Sequence, residues 1–526
     1  MSFSRFLAGV SVRDSGSTCR VFKKSIQIAS GISIVLATGL SARAQVQFTD
    51  VTTASGIQFV NHHQSASAGV IAADITGDGF PELFFNDQVG FDNELYLNNG
   101  DGTFTEVGAQ WGVRSRFNTP SALFVDWDND GVLDFLMLQI VKQDVAALRI
   151  LRNAGDHFEA FPRADRIPVR GLLGNQMTSF DYDGDGYLDL VTTGGRCDGL
   201  DDQNLILRND QAGSFEILMP FMAQEPGCVP WQPVAADLDG DGLTDVFCAR
   251  DFDATSRVYL HQLDGSMLDV GVDLGLKLPT APDMGVAIAD YDNDGDLDIY
   301  TTDITRNTQG GNRLFQNQLS DTGVFALSEV ARKVGVFDSG VGWGASFFDY
   351  DNDAHLDLAV SSMNEASRIF HNRGDATYDD VGAQLGFDPA GMAEGLVSVD
   401  FDMDGDLDVV IANQMGPAQV YRNDGGDRAG SWIKIRLIDD VGGDPFAVGS
   451  KIWIQAGDQT LFHQTKTGVS FNSQEPYLLH FGLGSGVGSC IVTVQWPDGE
   501  MSVGVVGATG EILTIRRSRG APFHRP

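Results

Sequence analysis

Acidic side chains at alternating positions of a short loop present hard oxygen donors, the set that suits a hard cation such as Ca²⁺, which takes about six to eight oxygens. Seven nine-residue stretches of this chain have that form: DITGDGFPE from Asp74, DWDNDGVLD from Asp126, DYDGDGYLD from Asp181, DLDGDGLTD from Asp237, DYDNDGDLD from Asp290, DYDNDAHLD from Asp349 and DFDMDGDLD from Asp400. Their starts lie 52, 55, 56, 53, 59 and 51 residues apart. Seven copies at near-regular spacing are a repeat rather than an accident of charge.

Side-chain donors at positions 1, 3, 5 and 9 and a backbone carbonyl at position 7 give each loop a candidate ligand set. The first loop offers Asp74, Thr76, Asp78 and Glu82 with the carbonyl of Phe80; the second offers Asp126, Asp128, Asp130 and Asp134 with that of Val132. The third offers Asp181, Asp183, Asp185 and Asp189 with Tyr187, and the fourth Asp237, Asp239, Asp241 and Asp245 with Leu243. The fifth offers Asp290, Asp292, Asp294 and Asp298 with Asp296, and the sixth Asp349, Asp351, Asp353 and Asp357 with His355. The seventh offers Asp400, Asp402, Asp404 and Asp408 with Asp406. Up to seven Ca²⁺ are expected. Position 12, the closing acid of a helical calcium loop, is Phe85, Met137, Thr192, Cys248, Thr301, Val360 and Ile411, which excludes that class. Solvated Asp-Gly turns without metal are the competing reading, but four carboxylates in nine residues repel one another.

Position 6 is glycine in six copies, as a sharp turn with positive φ requires. The sixth copy has Ala354. An L side chain there costs roughly 1–2 kcal/mol, so the sixth site is expected to be weaker and Ala354→Gly to strengthen it.

Each loop sits between two strand-length apolar segments, such as GVIAA before the first and LFFND after it. A third segment follows in every unit (ELYLN, LRILRN, LILRN, RVYLH, RLFQN, RIFHN, QVYRN) and a fourth in six of them. Four short strands per unit of about fifty residues is the pattern of propeller blades. The seventh unit lacks its fourth segment, and FTDV at Phe48–Val51 is expected to supply it and close the ring. The predicted fold is all-β: a seven-bladed propeller over residues 45–427, a small β-domain over 428–516 and a tail over 517–526.

The loops and segments resemble FG-GAP/VCBS-type calcium-binding propellers, and FTDVTTASGI and FTEVGAQWGV resemble the cartilage acidic protein family. The resemblance covers about residues 46–425 and implies that each loop joins the first and second strands of its blade. Beyond it, GSKIWIQAG, SFNSQEPYLLHFGLG and VTVQWPDGE resemble the ASPIC/UnbV domain, which implies a β-domain packed on the ring. His463 and His480 fall within its strand patterns and read as packed or surface residues.

The net charge is −37, which excludes nucleic acid and anionic membranes as partners and favours cations or basic surfaces. Arg20, Lys23 and Lys24 precede an apolar run from Ile26 to Leu40 and then Ala42-Arg43-Ala44, the form of an export signal cleaved after residue 44. Residues 1–44 carry six basic side chains and one acidic, so cleavage takes the charge to −42. No other stretch is long and apolar enough to span a membrane. The product is expected outside the cytoplasm, periplasmic or extracellular. Export permits a disulfide, for which Cys197 and Cys228 are placed on one face; Cys248 and Cys490 read as buried thiols.

The residue six positions before each loop should ring the channel mouth on the face opposite the loops. Ala68, Pro120, Asn175, Trp231, Met284, Trp343 and Glu394 hold that position. Asn175, Trp231, Met284, Trp343 and Glu394 are the candidate ligand pocket, with His62 and His63 at its rim. No nucleophile–base pair with recognisable spacing and no phosphate loop appears. The expected function is a binding or adhesion module for a protein, glycan or small molecule. The alternatives are a purely structural surface protein and an extracytoplasmic lyase or cyclase at that mouth, with Glu394 or His62 and His63 as acid and base.

Overall fold

The computed structural model describes residues 46–518 apart from 63–67, 88–90, 116, 143–144, 162–166, 171–175, 194–204, 219–228, 252–255, 277–281, 306–309, 364, 426–429 and 508–509. The expected export signal, His63, Asn175, Cys197 and Cys228 lie outside the described residues.

Every acidic loop joins the two innermost strands of a separate antiparallel sheet, as alternating apolar segments on either side of a polar turn dictate. In the first sheet the order is Val70–Ala73, Glu82–Phe85, Glu94–Asn98 and Phe104–Glu106. The same meander recurs through the last, where Met392–Val399, Asp408–Gln414 and Gln419–Asn423 are joined by the N-terminal strand Phe48–Asp50. Phe48 pairs with Asn423 and Asp50 with Tyr421, so the first strand of the fold completes its last sheet. The seven inner strands touch in cyclic order, the seventh returning to the first. The core lies between sheets: Phe84 and Leu95 of the first pack against Phe124, Phe135 and Phe158 of the second.

The second sheet departs from the pattern. Its nine-residue strands Asp134–Lys142 and Val145–Asn153 outrun the short outer strand Phe158–Ala160, which covers only Leu151–Asn153. A further strand, Ile167–Arg170, pairs with the uncovered edge at Val145–Leu148. An open edge is a site for unwanted pairing, and this strand removes it.

The asparagine that ends the third strand fastens the ring. The side-chain amides of Asn153, Asn209, Asn317, Asn372 and Asn423 donate to the carbonyls of Ile75, Trp127, Leu238, Tyr291 and Tyr350, each on the preceding sheet, at 2.8–3.0 Å. Asn98 closes the circle on the carbonyl of Phe401 at 2.8 Å. In the fourth sheet His261 stands there and stacks on Tyr182 instead.

Residues 431–517 form two sheets around one apolar cluster that includes Ile433, Ile435, Ile452, Val492, Val494 and Trp496. Between Gln464 and Leu479 the chain leaves this domain, runs down the channel of the ring and returns. The descent can be followed in hydrogen bonds. Gln464 Oε1 accepts from Asp237 N (3.0 Å), Thr467 Oγ1 from Ser179 N (2.7 Å), and Ser470 exchanges backbone bonds with Val286 (2.9 and 3.0 Å). Phe471 lies deepest, against Met284, Trp343 and Val341. On the way back Gln474 bonds Ala72 and Phe124, and the Tyr477 hydroxyl donates to the Phe124 carbonyl. This plug supplies partners to inner-strand N–H and C=O groups that a bare channel would leave to water.

Four sheets make room for it with a glycine five positions before the loop. A Cβ on Gly69 would lie 2.0 Å from the Asn472 carbonyl, and one on Gly344 or Gly395 would crowd the Ser470 or Ser473 hydroxyl at 2.7 or 2.8 Å. Gly69→Ala is therefore expected to loosen the plug, read as faster amide exchange over residues 467–474. Asn209→Ala strips the buried carbonyls of Trp127 and Leu188 of their donor; a loss of about 1–3 kcal/mol is expected in chemical denaturation.

Candidate functional site

The seven loops share one internal geometry. The first aspartate accepts the N–H of position 6 at 2.7–3.1 Å in every copy, and the acid at position 9 accepts that of position 2 at 2.8–3.3 Å. The position 5 aspartate accepts the N–H of position 7 at 2.8–3.1 Å. These bonds hold one oxygen of each carboxylate and turn the loop inward. Position 6 has φ between 77° and 100°, Ala354 included, as the glycine pattern requires.

Among the described residues, several remaining oxygens have no hydrogen-bond partner. Asp128, Asp292, Asp351 and Asp402, all at position 3, each keep a buried Oδ1 without a hydrogen bond, as do Asp74 Oδ1 and Glu82 Oε1. Carboxylates of Asp126, Asp128 and Asp134 lie within 4.8 Å of one another, and so do those of Asp181, Asp183 and Asp189 and of Asp237, Asp239 and Asp245. Unpartnered buried oxygens converging on a point fit a metal cation.

Burial alone drives these groups toward protonation. Desolvation pushes Glu82 and Asp245 up to about 8 and Asp134 and Asp189 up to about 7, with neighbouring carboxylates adding to the effect. Asp126 is pushed up to about 8 by burial and by Asp444, which the C-terminal domain brings beside the second loop. Elsewhere that domain brings bases. The amines of Lys434 and Lys451 pair with Asp400 and Asp237, and Arg436 pairs with Asp74 at 3.1 Å.

Two features of the loops were not foreseen. Position 4 also has positive φ in all seven, from 57° to 75°, including Met403 at 59°. Where it is asparagine the side chain clasps the next loop: Asn129 donates to the Gly186 carbonyl, Asn293 to that of Ala354 and Asn352 to that of Gly405. The residue before the stapling asparagine reaches the carboxylates, as Arg152 does Asp130 (2.8 Å), Gln316 Asp292 (2.6 Å) and His371 Asp357 (3.0 Å). The Gly/Asn alternation at position 4 and the recurring Arg, Gln or His before that asparagine were the signals in the sequence.

The structure gives Ala354 a use. Its methyl is buried in the apolar cluster of the C-terminal domain, beside a strand whose Gly482 passes so close that a Cβ there would meet Asp349 Oδ2 at 1.9 Å. The expectation of a simple defect is revised: Ala354→Gly relieves the backbone but removes a buried methyl worth about 0.8 kcal/mol.

The residues proposed for the channel mouth serve packing. Met284 and Trp343 surround Phe471, and Trp231 lies against it at 6.0 Å between ring centroids. Glu394 is buried and accepts from Ala68 N at 2.7 Å, tying the seventh sheet to the first. His62 lies apart from this group, bonded to Asp87 at 3.1 Å and stacked on Phe91. Cys248 and Cys490 are buried free thiols.

Comparison with known families matches FG-GAP-like repeats at residues 74–137, 181–248, 237–301 and 349–411 and the ASPIC and UnbV domain at 440–522. The chain is an FG-GAP-repeat protein with an ASPIC/UnbV domain. It is 24% identical to mouse (Mus musculus) cartilage acidic protein 1 over 88% of this chain and 76% of that protein. The human (Homo sapiens) protein is 28% identical over 52% of this chain, and the Xenopus tropicalis protein 24% over 86%. The chain spans 41% and 64% of those two relatives, under two thirds of their length. Loose structural likenesses include the Dos1 propeller (TM-score 0.38, 9% identity, 69% of this chain and 94% of that one) and a putative 6-phosphogluconolactonase from Bacteroides fragilis (0.41, 9%, 67% and 90%). Among the described residues no helix is long and apolar enough to cross a membrane.

The ASPIC/UnbV domain stands over the loop face of the FG-GAP ring and leaves a cavity of about 740 Å³ beneath it, lined by loop residues, by inner-strand ends and by the base of the plug. In the cation-free protein the buried loop acids hold protons that the unfolded chain releases above about pH 4. The folded state then binds more protons than the unfolded one between that pH and the raised values, so stability falls as pH rises. The melting temperature of chelated protein is expected to drop between pH 5 and pH 8, and saturating cation to abolish the drop.

Proposed function

We propose that this protein is an exported, calcium-stabilised binding or adhesion module in which Ca²⁺ has a structural part. The observation that carries this reading is the set of unpartnered position 3 oxygens in loops whose remaining acids are already aimed by backbone N–H groups. Each loop would hold one ion through the carboxylates at positions 1, 3, 5 and 9 and the carbonyl at position 7; Thr76 would stand in at position 3 of the first. The ion would supply the positive charge that the crowded acids lack. The ring's channel is filled by its own plug, so recognition of a protein, glycan or small molecule falls to the outer surfaces and to the space under the ASPIC/UnbV domain. The apolar run and cleavage pattern at the N-terminus, together with the named relatives, support a place outside the cytoplasm.

At a dissociation constant of about 10⁻⁴ M and free calcium of about 1 mM, each site adds about 1.4 kcal/mol, and seven add on the order of 10 kcal/mol. Calorimetry with and without chelator is expected to show melting fall by more than about ten degrees on calcium removal. Titration calorimetry is expected to return several sites per chain. An unchanged melting curve on chelation overturns the reading.

A further inference from the structure

The cavity under the ASPIC/UnbV domain contains an amine that the packing of the described residues leaves unused. Of the cations that line it, Lys434, Arg436 and Arg516 are held by Asp400, Asp74 and Asp440. Lys466 also lines it, at the top of the plug's descending limb, and among the described residues no hydrogen bond or ion pair engages its amine. Across the plug, at the top of the returning limb, Glu475 lines the same space. Its Oε1 accepts from the hydroxyls of Ser346 and Ser398, on the inner strands of the sixth and seventh sheets, which fix the carboxylate in place. Phe347, Val469, Pro476 and Leu479 add apolar surface to a lining that is otherwise mixed. The volume is within the range of about 300–1,000 Å³ of pockets that enclose small molecules.

This arrangement is not one for a carboxylate ligand, because Glu475 already faces the space and its charge answers that of Lys466. It fits a neutral molecule whose polar end accepts a hydrogen bond. Burial pushes the Lys466 amine down to about 8, against an opposing effect of Glu475, so a useful fraction of it is neutral and nucleophilic near neutral pH. His463, also on the lining, is held well below its usual range by burial and by Lys466, and so is uncharged beside it.

We propose that the cavity takes an apolar aldehyde or ketone and that Lys466 joins it as an imine, with Glu475 moving the protons. The neutral amine nitrogen adds to the carbonyl carbon, the carbonyl π pair passes to oxygen, and the carboxylate of Glu475 carries one proton from nitrogen to that oxygen to give the carbinolamine. Glu475 then carries the second N–H proton to the hydroxyl, which leaves as water as the C=N bond forms. One amine and one carbonyl give one imine and one water, with no change of oxidation state. Lys466 and Glu475 belong to the plug, although Asp74, Asp349 and Asp400 of the acidic loops line the same cavity.

The test uses the full-length protein in calcium-containing buffer with 3-phenylpropanal as probe and sodium cyanoborohydride to fix any imine as a secondary amine. Beyond residue 44 the chain has only six lysines, at 142, 277, 333, 434, 451 and 466, so peptide mass spectrometry resolves them all. Lys466 is expected to be labelled at least tenfold faster than Lys333, which is exposed. Lys466→Arg, which keeps the charge and forms no imine, should remove that fast phase with an unchanged melting temperature. Glu475→Gln should slow it about tenfold. Labelling of Lys466 no faster than that of Lys333 in the unaltered protein overturns the proposal without recourse to any variant, and a fast phase that survives Glu475→Gln removes Glu475 from it.

Discussion

The constraint on which this molecule is built is the crowding of acids in the turns of its sheets. The turns of the second to fifth sheets each gather three carboxylates within 4.8 Å of one another, an arrangement that raises their proton affinity and sets them against one another. The backbone answers part of this charge, with three N–H groups per loop directed at carboxylate oxygens. The C-terminal domain answers another part at the first, fourth and seventh loops. Among the described residues, no group meets what remains at the position 3 Oδ1 atoms of Asp128, Asp292, Asp351 and Asp402. The same loops are also the places where neighbouring sheets clasp and where the second domain rests, so local charge balance and global assembly are one problem.

Much of the ring was legible because it is repeated. A loop seen seven times declares its period, and the letters held constant within it declare its backbone: the glycines at position 6 do have positive φ, and Ala354 adopts φ of 77° in their place. The missing fourth segment of the last unit pointed to its substitute at Phe48. The stapling asparagines were equally visible, present in six of seven third segments, yet their meaning was hidden because their acceptors lie on another repeat some eighty residues earlier in the chain. Periodicity reports what each unit needs, and it is silent about what one unit does for the next.

The plug was the least legible element for the opposite reason. It occurs once, so no comparison within the chain could mark it, and residues 467–474 have neither the alternation of a strand nor the period of a helix. Its trace lay in the ring: glycine stands five positions before the loop in four units, at Gly69, Gly285, Gly344 and Gly395, where a side chain would collide with the plug or with the neighbouring strand. The tryptophans and methionine at the channel mouth were read as a receptor for something foreign. They are a receptor, but the occupant is Phe471 of the same chain.

The strand that closes the ring comes from the beginning of the chain, and the segment that fills it comes from near the end. The ring therefore has an axle made last. Without residues 464–479 the channel would be empty, with its glycines and the inner-strand groups bonded by the plug facing water. Completion of the C-terminal domain is thus registered at the centre of the ring.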